Sequence, residues 1–172
     1  MATKKTAIFT LTERLTLSDT TTQFATIDLG SYVDVGDRQG LQIHSVEYVY
    51  QGVDANAAIV AALGADQHLT TQVCDLNRGG LVFADDRALI SSSILQIDQT
   101  NGPSNVTDMF PDNFGNGSEH GRYVVNDSLY IYAKASNAAT ALNVTVRVNA
   151  SIVTLSAKDF MAIAIQSTAA DN

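Results

Sequence analysis

Three histidines, one cysteine, the acidic pair Asp85-Asp86 and an acidic loop are the groups with which this sequence could do chemistry. His44, His68 and His120 stand in no H-x-H, H-x-x-x-H or H-E-x-x-H spacing, so no single strand or helix turns two imidazoles toward one metal. The H-x-H pair followed by glutamate, which cupin-type metal sandwiches use, is absent. His44 and His68 are therefore expected at surface or rim positions of strands. Cys74 has no second cysteine to pair with and reads as a small buried hydrophobe. The segment PDNFGNGSEHG gathers Asp112, Glu119 and His120 into one loop. Its Asp112-x-x-x-Asn116-Gly117 echoes a calcium loop, but Phe114 fills a ligand position and Tyr123 stands where the bidentate glutamate belongs. That excludes an EF-hand. A looser calcium site within 112–120, or at Asp85-Asp86, stays open against the plainer reading of Asp85-Asp86-Arg87 as a solvated turn. No G-x-S-x-G elbow, P-loop or G-x-G-x-x-G occurs, and Ser91-Ser92-Ser93 lie in a strand with no base implied beside them. We expect no catalytic, cofactor-binding or metal-ligating residues.

The elements that would position such groups are strands. From Leu142 onward, Leu142, Val144, Val146, Val148, Ala150 and Ile152 alternate with Asn143, Thr145, Arg147, Asn149 and Ser151. Side chains alternate faces along a strand, so the even positions are expected in the core. Leu129, Ile131 and Ala133 repeat the pattern upstream, and the short polar linker SNAATA suggests an antiparallel hairpin between the two. Phe9, Leu11, Leu15 and Leu17 share one face of a first strand, interrupted there by Glu13. Eight strands follow from such runs, at about 8–17, 23–29, 41–50, 68–76, 88–98, 106–110, 122–134 and 142–155, with a further short one at 81–84. The run LQIHSVEYVY lacks clean alternation, which suggests contacts on both faces. Asp54, the Ala-rich run to Leu63 and Gly64 describe a short helix, and Ser156 with Asp159 forms a capping box for a second. Its continuation, MAIAIQ, fits a strand equally well. Residues 99–121 hold both prolines and form the longest irregular stretch, a length that usually marks function or an interface.

The totals set limits. A chain of 172 residues fits one domain, 1–172, and buries enough surface to need no staple. With ten Lys and Arg against eighteen Asp and Glu, a net charge of -8 argues against phosphate-backbone binding, apart from a minor contact at Lys4-Lys5. No stretch is long and apolar enough for a membrane-spanning helix, and the first residues make no convincing secretory signal. The sequons at Asn105, Asn116, Asn126, Asn143 and Asn149 carry no weight without one. The tyrosine pairs Tyr48/Tyr50 and Tyr130/Tyr132 each share a strand face, which suits cross-strand packing more than a sugar platform.

Antiparallel strands without long helices suit an all-β fold, an eight-stranded antiparallel jelly-roll sandwich with one or two short helices. In its Thr-rich strands, its helix between early strands and its ending RYVVNDSLYIYAKA…LNVTVRVNASIVTLSAKDF, the chain resembles single-jelly-roll viral coat proteins. It is similar in particular to the small coat subunits of icosahedral internal-membrane viruses of bacteria and archaea. The resemblance implies a structural, non-enzymatic capsid subunit in the virion, assembled in the host cytoplasm. Its partners would be copies of itself and other virion proteins, with the shell lying over a membrane or over other proteins. No cofactor, small-molecule substrate or direct sequence-specific nucleic-acid contact is implied. The alternative is a surface or secreted β-sandwich adhesion module that binds carbohydrate, with or without calcium.

Overall fold

The computed structural model describes residues 2–54, 67–97, 104–108, 113–114, 121–137 and 141–168. Ten strands follow one another among them: β1 (Thr3–Lys4), β2 (Phe9–Leu17), β3 (Gln23–Asp28), β4 (Gln39–Gly52), β5 (Gln67–Cys74), β6 (Leu89–Ile97), β7 (Ser104–Asp108), β8 (Arg122–Val124), β9 (Ser128–Ala135) and β10 (Leu142–Thr154). One helix, α1 (Ala157–Thr168), closes the series. The helix expected over 55–64 lies outside the described residues.

The strands form two antiparallel sheets. In the first, β1 and β2 share one side of β10, followed by β4 and then β8; in the second the order is β3-β9-β5-β6-β7. From β2 to β5 each successive strand crosses to the other sheet, and β8, β9 and β10 cross again. These crossings make a jelly roll rather than a stack of hairpins. The hairpin expected between the strands near 129 and 142 is therefore corrected. β9 pairs with β3 and β5, whereas β10 pairs with β2 and β4. An alternating pattern fixes which face of a strand is apolar, but both sheets present such a face to one core, so the pattern cannot choose the partner. The expected single strand at 122–134 is two strands in different sheets, and 81–83 is irregular rather than a strand.

Side chains from both sheets meet in one core, with Leu15, Ile43 and Val146 on one side and Ile27, Leu69 and Ile131 on the other. The even positions of β10 from Leu142 to Ala150 are fully buried, as their alternation requires. Ile152 keeps that parity opposite Leu41 but is only half-buried, so it sits at the core margin. Its neighbours Ser151 and Val153 are buried on the other face, where Val125, Val153, Leu155 and Phe160 of α1 form a second apolar cluster.

The irregular pattern of β4 has a specific cause. Asn149 pairs with Ser45 and Ala150 with Ile43, leaving His44 as the extra residue of a bulge. One added residue reverses strand parity, so Leu41 and Ile43 face the core before it and Val46, Tyr48 and Tyr50 after it.

Ser156 caps the start of α1, as its pairing with Asp159 in the sequence suggests. The Ser156 hydroxyl accepts from the Asp159 amide at 3.2 Å and donates to the Asp159 carboxylate at 2.8 Å. Phe160, Ile163 and Ala164 turn inward onto the sheet, which settles MAIAIQ as helix.

Candidate functional site

Polar groups converge where β5 runs out beside β8. Asp75, one residue past β5, is held by its backbone: its amide donates to the Ala88 carbonyl at 2.9 Å and its carbonyl accepts from Asn126 Nδ2 at 2.7 Å. The side chain is 2% exposed and receives Arg122 Nη2 at 3.4 Å on Oδ2, while Oδ1 is buried with no partner. Arg122 belongs to the other sheet, so the ion pair straps the two sheets together. The same guanidinium nitrogen donates to the Arg87 carbonyl at 2.6 Å. Burial pushes the Asp75 carboxyl up to about 6, with Arg122 and Arg78 acting against it.

The loop between β5 and β6 is fixed from beneath. The Tyr132 hydroxyl accepts the amides of Arg78 at 2.9 Å and Gly79 at 3.2 Å and donates to Asn77 Oδ1 at 2.9 Å. Gly79 adopts φ 75°, a conformation that glycine enters without steric cost. The buried Gln72 amide brackets Val82, donating to its carbonyl and accepting from its amide. Arg78 and Asp86 pair at 3.0 Å, and Asp86 also accepts the Ala88 amide. This framework holds Phe83 87% exposed.

Two clefts flank Asp75. One, of about 200 Å³, is lined by Asp75, Gly121, Arg122, Tyr123 and, from α1, Ile163 and Gln166. The other, of about 360 Å³, is lined by apolar Val33, Val35, Leu76 and Val125, with Asn126, Asp127 and Tyr130 beside Asp75.

The residues singled out by sequence are dispersed. His44 is buried, not at a rim, because the bulge turns it under the outer-face cover; its Nε2 lies 2.9 Å from Ser151 Oγ. His68 is exposed, while Asp112, Glu119 and His120 lie outside the described residues. Asp86 is an ion-pair and turn residue, and among the described residues no three His, Cys, Asp or Glu are placed to hold a metal. Cys74 is fully buried, and burial drives its thiol to about 12. Ser91 receives the Tyr48 hydroxyl at 2.8 Å across the sandwich. Tyr130 and Tyr132 pack beneath Phe24, with centroids 6.1 and 5.6 Å away. Sequence reasoning missed Asp75. Its signal was an acid set inside an apolar run, between Val73-Cys74 and Leu76.

Sheet order and crossings define an antiparallel jelly-roll sandwich, an architecture shared by viral capsid proteins, lectins and cupins. A solved structure sharing this fold is Trichodysplasia spinulosa-associated polyomavirus VP1 in complex with 3'-sialyllactose. The likeness has a TM-score of 0.51 at 10% identity over 90% of this chain and 97% of that one. Apo chimpanzee polyomavirus VP1 aligns over 90% of this chain and 100% of its own, at 10% identity and a TM-score of 0.48. No protein-family model and no curated protein sequence matches the chain.

Proposed function

We propose that the chain is a structural coat subunit that tiles with copies of itself into a viral shell. The observation that carries this reading is the jelly-roll connectivity, together with its likeness to a polyomavirus VP1 over 90% of the chain. On this reading residues 1–172 are one coat domain with no catalytic or transition-metal centre. Its place is the virion, after assembly in the host cytoplasm. The finer assignment, to small coat subunits of internal-membrane viruses of bacteria and archaea, is supported by charge. A net charge of -8, with Lys4-Lys5 as the only adjacent basic pair, suits a shell lying over a membrane or other virion proteins rather than over bare genome. The outward residues Met161 and Ile165 of α1, 59% and 60% exposed, supply apolar surface for contacts between copies. Light scattering and negative-stain microscopy of purified protein over a range of concentration and salt test the proposal. Rings, shells or sheets are expected, and a strict monomer under every condition would remove it.

One observation favours a second reading, carbohydrate binding. Phe24 is 52% exposed on the outer face of its sheet and stacks on Tyr130 within a tyrosine pair, a surface on which a sugar ring can lie. The VP1 structure that shares the fold holds 3'-sialyllactose. Glycan-array binding by the chain, lost in Phe24→Ala, would support this reading.

A further inference from the structure

α1 is apolar on two sides. Phe160, Ile163 and Ala164 pack with Val125, Val153 and Leu155 of the same chain, yet Met161 and Ile165 on the opposite side are exposed. A surface helix ordinarily turns polar residues outward, and one that is apolar all round is a buried helix. The outward side of α1 therefore lacks a cover, and it is turned away from the cluster that its own chain supplies. Lys158, Met161, Ala162 and Ile165 stand at i, i+3, i+4 and i+7 and are all exposed, so a cation and an apolar stripe share about 10 Å of helix. That is the spacing by which an amphipathic helix seats in an apolar groove. Lys158 is the one cation of α1, and Asp159 is tied back to Ser156.

A groove that fits this face needs apolar walls with an acid beside them. The larger cleft has Val33, Val35, Leu76 and Val125 as walls and the exposed Asp127 among its lining residues. Its other acid, Asp75, is already paired with Arg122. An apolar cavity of roughly 150 Å³ holds a benzene ring, so about 360 Å³ leaves room for the Met161 and Ile165 side chains, each smaller than that ring. The flexible thioether of Met161 also adapts to irregular walls. We propose that α1 of one copy docks in this cleft of a second copy, with Met161 and Ile165 along Val33, Val35 and Leu76 and with Lys158 against Asp127. The inference rests on the coat reading and names the surface that receives the helix. Opposite charges on helix and cleft are what single out a second copy as the occupant. Helix and cleft are different places on one chain, so a copy that gives its helix still offers its cleft, and the contact repeats from copy to copy until a ring or shell closes.

The test is charge reversal in the whole chain, read by sedimentation velocity under conditions where the wild type associates. Lys158→Glu and Asp127→Lys change exposed positions, so both variants should keep the wild-type melting temperature within a few degrees. Each single reversal sets like charges against each other and should weaken association roughly fivefold or more. The combined Lys158→Glu/Asp127→Lys chain pairs the charges again with their signs exchanged, and should return to within about twofold of the wild type. Association unchanged by either single reversal would overturn the proposal and leave the coat reading in place. So would losses in both single variants that the combined chain does not recover, since the two residues would then meet different partners. A wild type that stays monomeric under every condition would remove the coat reading itself, and this contact with it.

Discussion

Glu13 of β2 stands directly opposite Val146 of β10, in the row of side chains that both strands turn toward the facing sheet. Leu11 and Leu15 flank it on the same face, so a half-buried charge interrupts the apolar row of a strand that, among the described residues, pairs with β10 alone and so forms an edge. Edge strands offer unpaired backbone groups to any other strand, and an inward-pointing charge is one way to discourage that pairing. Glu13→Leu should raise stability by about 1–2 kcal/mol through added apolar burial. It should also promote edge-to-edge association. Urea unfolding and light scattering on the same sample check both halves, and a stabilised variant that associates no more than the wild type would refute the edge role.

Adjacent residues of β10 should respond in opposite ways. Val146 is fully buried, and Val146→Asp would place an unpaired carboxylate in the core, across from Glu13, at a cost of several kcal/mol. The protein should not fold. Arg147 is about half-exposed and reaches Glu47 at 3.5 Å, an arrangement worth roughly 1 kcal/mol or less. Arg147→Asp should be nearly silent, and similar losses from the two changes in a thermal melt would refute the register.

Stability should vary with pH through Asp75. Its carboxyl is raised from 3.8 to about 6, so the folded protein binds this proton more tightly than the unfolded chain does. The stabilising contribution of the protonated acid is therefore fully present below about 3.8 and is lost as pH rises through about 6. The integrated effect is roughly 2–3 kcal/mol, since each pK unit is worth about 1.4 kcal/mol. Asp75→Asn should abolish this component. Subtracting its stability profile from the wild-type profile should leave a fall across that window, and a flat difference would contradict the burial argument.

Tyr132 holds the β5–β6 loop through one oxygen. Tyr132→Phe should deprive the Arg78 amide of its hydroxyl acceptor, at a cost of about 1–3 kcal/mol, while the Gly79 amide keeps Asn77 Oδ1 at 3.0 Å. Hydrogen exchange at the Arg78 amide should quicken while the β10 amides stay protected. Unchanged exchange at residue 78 would show that other contacts hold the loop.

For assembly, the informative change is on the outward side of α1. Removing the helix would also uncover Val153 and Leu155, so lost assembly in a truncated chain would mix two causes. Met161→Lys combined with Ile165→Lys leaves Phe160, Ile163 and Ala164 in place. It should keep the melting temperature within a few degrees while reducing particle formation. Particles formed equally well by this variant would exclude the helix from the interface.

The sequence made some of this legible and hid the rest for physical reasons. Alternation from Leu142 to Ala150 identified the core strand, and the Ser156–Asp159 cap marked where α1 begins. The β4 pattern was unreadable without the bulge at His44, because one added residue exchanges inside and outside. The separation of β8 from β9 was hidden by Val124-Val125, consecutive residues buried in different clusters on opposite faces of the first sheet. Asp75 escaped notice because its burial depends on Arg122 and Asn126, which approach it only after the two sheets close.

The central place of β10 bears on how the protein is made. β10 is the last strand of the ten to leave the ribosome, yet β1, β2 and β4 all hydrogen-bond to it. Until residues 142–154 have been synthesised, β2 and β4 have no common neighbour, and the first sheet exists only as separate pieces. Distant pairings of this kind fold slowly, because chain closure is paid for before the contacts form. The nascent chain therefore passes through a period with open apolar strands, when chaperones can engage it. The first sheet is complete only once translation has run through β10, so the association proposed above has to wait for that step.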